Sequence, residues 1–261
     1  YQFDFNSNIG VYSWNPSTLN YDVSTGGGSI EINFPSDPDQ NSNNATFRMT
    51  NYSDYFWQAN TDVEIIYMPT SMYCELEVDN EIIFSINHAI SFNDSFWVDG
   101  NEIPNSISVE IFVNPVTVQL QANRINPTLF SATLSINSET CDIVATAQTQ
   151  LLTTNYLNIL NDSDVWMEEM DYISLDISVS EMTLDGIMDC QVLYDLYEAS
   201  VNDQATTNDI NSAASVDVTY QGNEIASLVL VDTDADTDAD GLNIVYCDNS
   251  QESVVNYINP L

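Results

Sequence analysis

The chain has 261 residues, of which 40 are acidic and two basic, for a formal net charge of −38, while 44% of it is hydrophobic. That balance leaves enough apolar surface for a core and excludes nucleic acid and anionic membranes as partners, because both are bound through Lys and Arg. It also excludes every lysine chemistry: Arg48 and Arg124 are the cations, and there is no lysine for a Schiff base or a phosphate loop.

From the N-terminus, Tyr1, Phe3 and Phe5 alternate with Gln2, Asp4 and Asn6, which predicts a strand with one aromatic face. A second aromatic segment follows at Val11, Tyr12 and Trp14, and then Gly26-Gly27-Gly28, which reads as a hinge. Ile30, Ile32 and Phe34 look like the first strand of a folded domain. The start at Tyr1 rather than Met, with no run of about 18 apolar residues, is expected of a processed, exported chain.

An internal repeat organises the rest. The stretch Phe47-Arg-Met-Thr-Asn51-Tyr-Ser-Asp54 aligns with Leu157-Asn-Ile-Leu-Asn161-Asp-Ser-Asp164. In the same register Val63, Ile65 and Tyr67 answer to Ile173, Leu175 and Ile177, and Cys74 answers to Cys190. Farther on, Ser131 to Ile136 and Cys141 answer to Ile225 to Leu230 and Cys247. Strands of period two, such as Ile107, Val109, Ile111 and Val113 or Val216, Val218 and Tyr220, are broken by Asn, Asp, Gly and Pro turns. Val192 to Ala199 is the one helix-like stretch, and its alignment after Cys190 favours a strand there.

The expected fold is therefore all-β: two tandem antiparallel β-sandwich domains, immunoglobulin-like or jelly-roll-like, over residues 29–150 and 151–261. An extended N-terminal arm, residues 1–28, precedes them. Cys74, Cys141, Cys190 and Cys247 lack metal-ligand spacing and predict two disulfides of an oxidising compartment, Cys74–Cys141 and Cys190–Cys247, with four free buried thiols as the alternative. Asn44, Asn51, Asn93 and Asn161 open Asn-x-Ser/Thr sequons and are candidates for glycosylation, although 30 asparagines produce several such triplets by chance.

Near the C-terminus VDTDADTDADGLN, residues 231–243, places Asp236, Asp238, Asp240 and Gly241 at positions 1, 3, 5 and 6 of a calcium loop. The Leu242 carbonyl stands at position 7. Cys247 occupies position 12, where an EF-hand has Glu, so Asp232 or Asp234 is the expected replacement ligand. The competing reading is a solvated acidic hairpin tip. Catalytic motifs are missing from the sequence: His88 has no second histidine, and neither GxSxG nor HExxH occurs. We expect no enzyme.

The surplus aromatic strand at the start, set against a second domain with no equivalent strand, resembles the donor-strand subunits of extracellular pili and threads. The resemblance implies a chain that assembles with itself head to tail outside the cell, with Tyr1, Phe3 and Phe5 buried in the neighbouring copy; the competing arrangement is an arm folded back onto its own domain. Without lysine, covalent polymerisation through lysine isopeptide bonds is excluded. The alternative is a tandem calcium-dependent carbohydrate-binding or adhesion module, in which Trp14, Trp57, Trp97 and Trp166 supply stacking surfaces.

Overall fold

The computed structural model describes residues 3–58, 65–98, 101–154, 156, 168–200, 206–232 and 241–258. The described residues are mostly β, as the alternating sequence requires. They divide into two compact units, the first covering residues 1–123 and 134–140 and the second residues 124–133 and 141–261.

In the first unit the strands are β1 (Gly10–Asn15), β2 (Asn20–Ser24), β3 (Ile30–Phe34), β4 (Ala45–Gln58), β5 (Ile65–Val78), β6 (Glu81–Val98), β7 (Asn101–Val113) and β8 (Val116–Arg124). From β3 to β8 each strand pairs antiparallel with the next in sequence, a meander of long hairpins. The exception lies at the start. Strand β1 pairs antiparallel with β2 but parallel with β3, so the sheet ends on β2. Gly26 and Gly27, at φ +139° and +87°, make the return from β2 to β3 in backbone regions closed to side-chain-bearing residues. Residues 10–24, read from sequence as part of a free arm, thus belong to this sheet.

The second unit continues with β9 (Leu129–Asn137, which the unit boundary crosses), β10 (Asp142–Leu151), β11 (Met170–Val179), β12 (Met182–Asp189), β13 (Ala214–Tyr220), β14 (Asn223–Val231), β15 (Gly241–Tyr246) and β16 (Gln251–Ser253). From β10 to β16 each strand pairs antiparallel with the next. Helices α1 (Cys190–Ser200) and α2 (Thr207–Ala213) fill the β12–β13 connection, and a last turn, α3, spans Val255–Ile258.

Helix α1 corrects the strand expected at Val192 to Ala199. Val192, Leu193 and Leu196 follow helical spacing, and the Asp189 carboxylate accepts the Val192 backbone N–H at 3.0 Å, capping a donor the helix itself cannot satisfy. Helix α2 has a reciprocal cap, in which Thr206 and Asp209 each accept the other's backbone N–H. No helix among the described residues is long and apolar enough to cross a membrane.

Register shows how each sheet divides its faces. In the first unit Ile30–Met49–Cys74–Ile86–Ile111–Val118 and Ile32–Phe47–Leu76–Phe84–Val113–Val116 are cross-strand rows on one face. Between them Glu31–Arg48–Glu75–Ser85 begins a row on the other face. In the second unit Ala147–Leu175–Gly186–Val216–Leu228–Ile244 alternates with Thr146–Asp176–Asp185–Asp217–Ser227. Opposed residues of an antiparallel pair share a face, so both sheets are amphipathic. The buried apolar residues are few and mostly small, among them Ala45, Cys74, Cys190, Ala213 and Ala226. Several apolar-row members stay open: Val113 keeps 54% of its surface, Leu120 42% and Leu175 42%.

The disulfide expectation needs correction. Among the described residues no disulfide is present; Cys74 and Cys190 are buried, Cys141 is half-buried and Cys247 exposed. Cys190 opens α1 just past β12, while Cys247 follows β15 and donates its backbone N–H to Ile225. Strands β13 and β14 lie between. Three interstrand steps of about 4.8 Å each exceed the roughly 7 Å Cα separation a disulfide can span. Cys74 lies mid-strand in β5 between Met49 and Ile86. The repeat had aligned a residue inside a strand with a residue that starts a helix.

Candidate functional site

Among the described residues, the polar face of the second unit carries a row of chemistry-bearing side chains. Thr146, Asp176, Asp185, Asp217 and Ser227 stand side by side across β10 to β14. A groove of about 360 Å³ opens over them, lined also by Gln148, Ser174, Ile187 and Ser215. Each strand has a polar residue at this level because the row above it, through Leu175 and Val216, takes the apolar positions. Like charges directly opposed in adjacent strands repel. A hydrogen bond with Asp176 raises the pKa of Asp185, helped by desolvation and by the charges of Asp176 and Asp217.

This sets a sign for pH dependence. The folded state holds the Asp185 proton more tightly than the unfolded chain does. Stability therefore rises as pH falls through the window from the raised pKa down to the ordinary carboxylate value, and it is lost as pH climbs back. Asp185→Asn keeps a donor toward Asp176 and removes one charge. It is expected to raise the melting temperature at neutral pH and to flatten the stability profile in the acid range, as thermal melts across pH will measure. An unchanged profile would mean that the row carries no electrostatic strain.

The first unit holds the chain's best-built polar cluster. Arg48, on β4, reaches Glu31 on β3 at 3.4 Å through Nε and meets Glu75 on β5 through Nη1. Tyr73 donates its hydroxyl to the other Glu75 oxygen at 2.7 Å, and that bond, with burial, raises the tyrosine pKa. Glu75 is the buried charged residue of the described core. In the second unit the Tyr156 hydroxyl donates to the Pro127 carbonyl while its ring meets Phe130 edge-on at 5.8 Å. Burial raises the Tyr156 pKa, and Arg124 opposes that shift. The single histidine, His88, lies in β6 with Nε2 3.0 Å from the Pro69 carbonyl.

The N-terminal segment departs from the strand expected there. Residues 6–8 form a turn of 3₁₀ helix. The Asp4 carboxylate accepts the Ser7 backbone N–H at 3.0 Å and the Ser7 hydroxyl at 2.5 Å, and Asn8 donates to the Asp4 carbonyl at 2.7 Å. Local side-chain bonds of this kind compete with a ladder and win where no partner strand is present. Phe5 is buried, stacked on Tyr52 at 5.6 Å, and Phe3 meets the same ring edge-on at 5.2 Å. Burial, then the Asp54 charge, raises the Tyr52 pKa. Tyr1 lies outside the described residues.

Of the calcium-loop residues, Asp234, Asp236, Asp238 and Asp240 lie outside the described residues. Asp232 follows the end of β14, while Gly241 and Leu242 open β15, paired with Val231 and Leu230. The strands flanking the loop pair antiparallel with each other. Among the described residues no group of three or more His, Cys, Asp or Glu side chains is arranged to hold a metal. Of the sequons, Asn161 lies outside the described residues and Asn93 falls in β6. Asn44 and Asn51 are both placed, one just before β4 and one at a bulge within it. Among the tryptophans, Trp14 meets Tyr21 edge-on at 5.4 Å on the β1–β2 hairpin. Trp57 and Trp97 lie in β4 and β6, and Trp166 is outside the described residues.

No known protein family, curated protein or solved structure matches the chain.

Proposed function

We propose that this chain is a structural subunit of an extracellular filament or surface layer, exported, glycosylated and joined to further copies of itself without covalent links. The carrying observation is the amphipathic pattern of the strands in each unit, whose apolar positions stay partly open at Val113, Leu120 and Leu175. An amphipathic sheet calls for a second layer over its apolar face, and open apolar rows mark surfaces that other protein covers. The tandem-sandwich reading supplies that layer from a like sheet. Strand β2 adds an edge that is exposed along its whole length, with Tyr21 and Val23 outward, the kind of template on which another chain pairs.

Donor-strand exchange is the head-to-tail mode we propose. The Phe3–Phe5–Tyr52 cluster, formed here within one chain, would be rebuilt by the N-terminal segment of the next copy at the same Tyr52. A charge of −38 opposes close stacking, so salt or a divalent cation favours assembly. We propose calcium for the 232–242 loop on the alternation of its aspartates. Bound calcium stabilises the folded state by about 2.7 kcal/mol at one hundred times its Kd.

Electron microscopy of the native material tests the reading: filaments or sheets are expected, and monodisperse particles under all salt conditions would refute it. Calorimetry with calcium and a chelator tests the loop, and the absence of both binding heat and a thermal shift would reduce it to an acidic tip. The second reading, calcium-dependent carbohydrate binding or adhesion, is favoured by the hydroxyl-, amide- and carboxylate-lined groove of the second unit. It predicts retention on a polysaccharide column that calcium removal abolishes.

A further inference from the structure

We propose that Asn51 carries an N-linked glycan in the folded chain and that Asn44, seven positions earlier and equally a sequon, does not. The inference rests on the reading of the chain as exported, and it makes the glycan's place specific.

The two sequons are chemically alike and structurally opposite. The Asn44 amide is fully used: its Oδ1 accepts the Ser36 backbone N–H at 2.9 Å, and its Nδ2 donates to Ser36 Oγ and to Asp79 Oδ1, both at 2.9 Å. Its backbone carbonyl accepts the Asp79 N–H as well. Asn44 therefore ties the β3–β4 connection to the β5–β6 turn. An N-linked sugar replaces one of the two Nδ2 hydrogens, so at least one of these bonds is lost, and the sugar must enter space where an acceptor now sits. The following residue, Ala45, is 1% exposed, which leaves little room to yield.

Asn51 has none of these ties. It is exposed, and among the described residues its side chain makes no hydrogen bond. The β4–β5 register jumps between Thr50 and Ser53, so Asn51 and Tyr52 have no opposed residue in β5. A bulge of this kind leaves the extra residue off the ladder and turned outward. Asn51 takes φ +53°, the left-handed region that asparagine tolerates better than most residues. Its carbonyl accepts the Ser71 hydroxyl at 2.6 Å, and Ser53 Oγ meets Thr70 Oγ1 and Ser71 Oγ at 2.8 and 2.7 Å. Those bonds hold the bulge from the hydroxyl side and leave the amide alone. The Ser53 hydroxyl is recognised before β4 and β5 close, is taken up by Thr70 and Ser71 once they have closed, and leaves the sugar outside.

In the transfer, Asn51 Nδ2 attacks the anomeric carbon of an oligosaccharide held on a lipid pyrophosphate. The C1–Nδ2 bond forms, the C1–O bond to phosphate breaks, the lipid pyrophosphate leaves with the electron pair, and the amide proton passes to base. The donor and the transferase belong to the exporting cell.

The full chain, exported behind a secretion signal from a cell that N-glycosylates, is digested with trypsin and chymotrypsin. Cleavage after Arg48 separates the two sequons. Amidase release in heavy-oxygen water then marks each occupied asparagine. We expect the mark on most molecules at Asn51 and at least about ten-fold less at Asn44, the factor that a lost charge-assisted bond supports. Asn51→Gln and Ser53→Ala should each erase the mark at residue 51, and Ser53→Thr should keep it. Equal or greater occupancy at Asn44, or a bare Asn51 in the exported protein, overturns the proposal. Microscopy of the Asn51→Gln chain reads assembly separately: filaments without the glycan leave the structural reading intact, while a glycosylated chain that never assembles refutes that reading alone.

Discussion

Replacing Arg48 by methionine is expected to destabilise the first unit by about 2–3 kcal/mol, lowering its melting temperature by roughly 5–10 °C. The guanidinium stands between Glu31 and Glu75 in one cross-strand row, and Tyr73 completes the shell by donating to Glu75. Without Arg48 two carboxylates face each other across a neutral residue, and one of them, Glu75, is 8% exposed. Removing one partner leaves a poorly hydrated charge unpaired, which costs more than the pair itself contributes. Arg48 keeps a third of its side chain in solvent, so the figure lies below that of a fully buried pair. The same logic orders the other variants. Glu31→Gln, at the longer contact, should cost less than about 1 kcal/mol. The double variant Arg48→Met with Glu75→Met should be more stable than Arg48→Met alone, since no orphan charge remains. Thermal and denaturant melts of the parent, Arg48→Met, Glu75→Met and the double variant close the cycle, with Glu31→Gln melted beside them. A loss under about 0.5 kcal/mol for Arg48→Met would make the cluster a surface ornament.

How much of this could be read in advance differs from residue to residue. The strands at Ile107–Val113 and Val216–Tyr220 were legible because period-two alternation depends on local sequence alone. What faces what was not. Nothing in the chain says that Arg48 meets Glu31 and Glu75, or that Asp176, Asp185 and Asp217 form one row, because those contacts depend on register, and register is set by turns and bulges spread over the whole sheet. The Thr50/Ser53 bulge that exposes Asn51 also has no sequence signature of its own. The repeat misled at Cys190. Matching it to Cys74 imposed a strand on residues whose own apolar spacing, with Asp189 before them, was helical. At the N-terminus the aromatic alternation was real, but Asp4 and Ser7 form a turn that outcompetes it in a single chain. The acidic loop was conspicuous in the sequence, and its flanking strands pair antiparallel.

The N-terminal turn gives the second large effect. Phe5→Ala is expected to release residues 3–8 from Tyr52, with a docking loss of about 2–3 kcal/mol. Phe5 is 8% exposed and stacked on Tyr52, so truncation removes both the buried area and the ring contact. A core phenylalanine costs roughly 3–5 kcal/mol when cut to alanine. The figure is lower here because a terminal segment comes away locally and leaves the sheet folded. Hydrogen exchange will read this as loss of protection at Asn8, whose N–H bonds to the Phe5 carbonyl at 3.0 Å, while Ile32 and Phe47 in β3 and β4 keep theirs. Phe3→Ala should do far less, because Phe3 is 43% exposed and touches Tyr52 only edge-on. The same variants separate the two fates of the segment. If it exchanges between copies, Phe5→Ala and Tyr52→Ala each weaken assembly, and mixing the two restores only the joint in which a Tyr52→Ala copy inserts its intact Phe5 against the intact Tyr52 of a Phe5→Ala copy, so pairs form but long filaments do not. If assembly runs instead through β2 or the open apolar rows, Phe5→Ala filaments form as readily as the parent's and donor-strand exchange is refuted, although the turn at Asp4 to Asn8 has come undone.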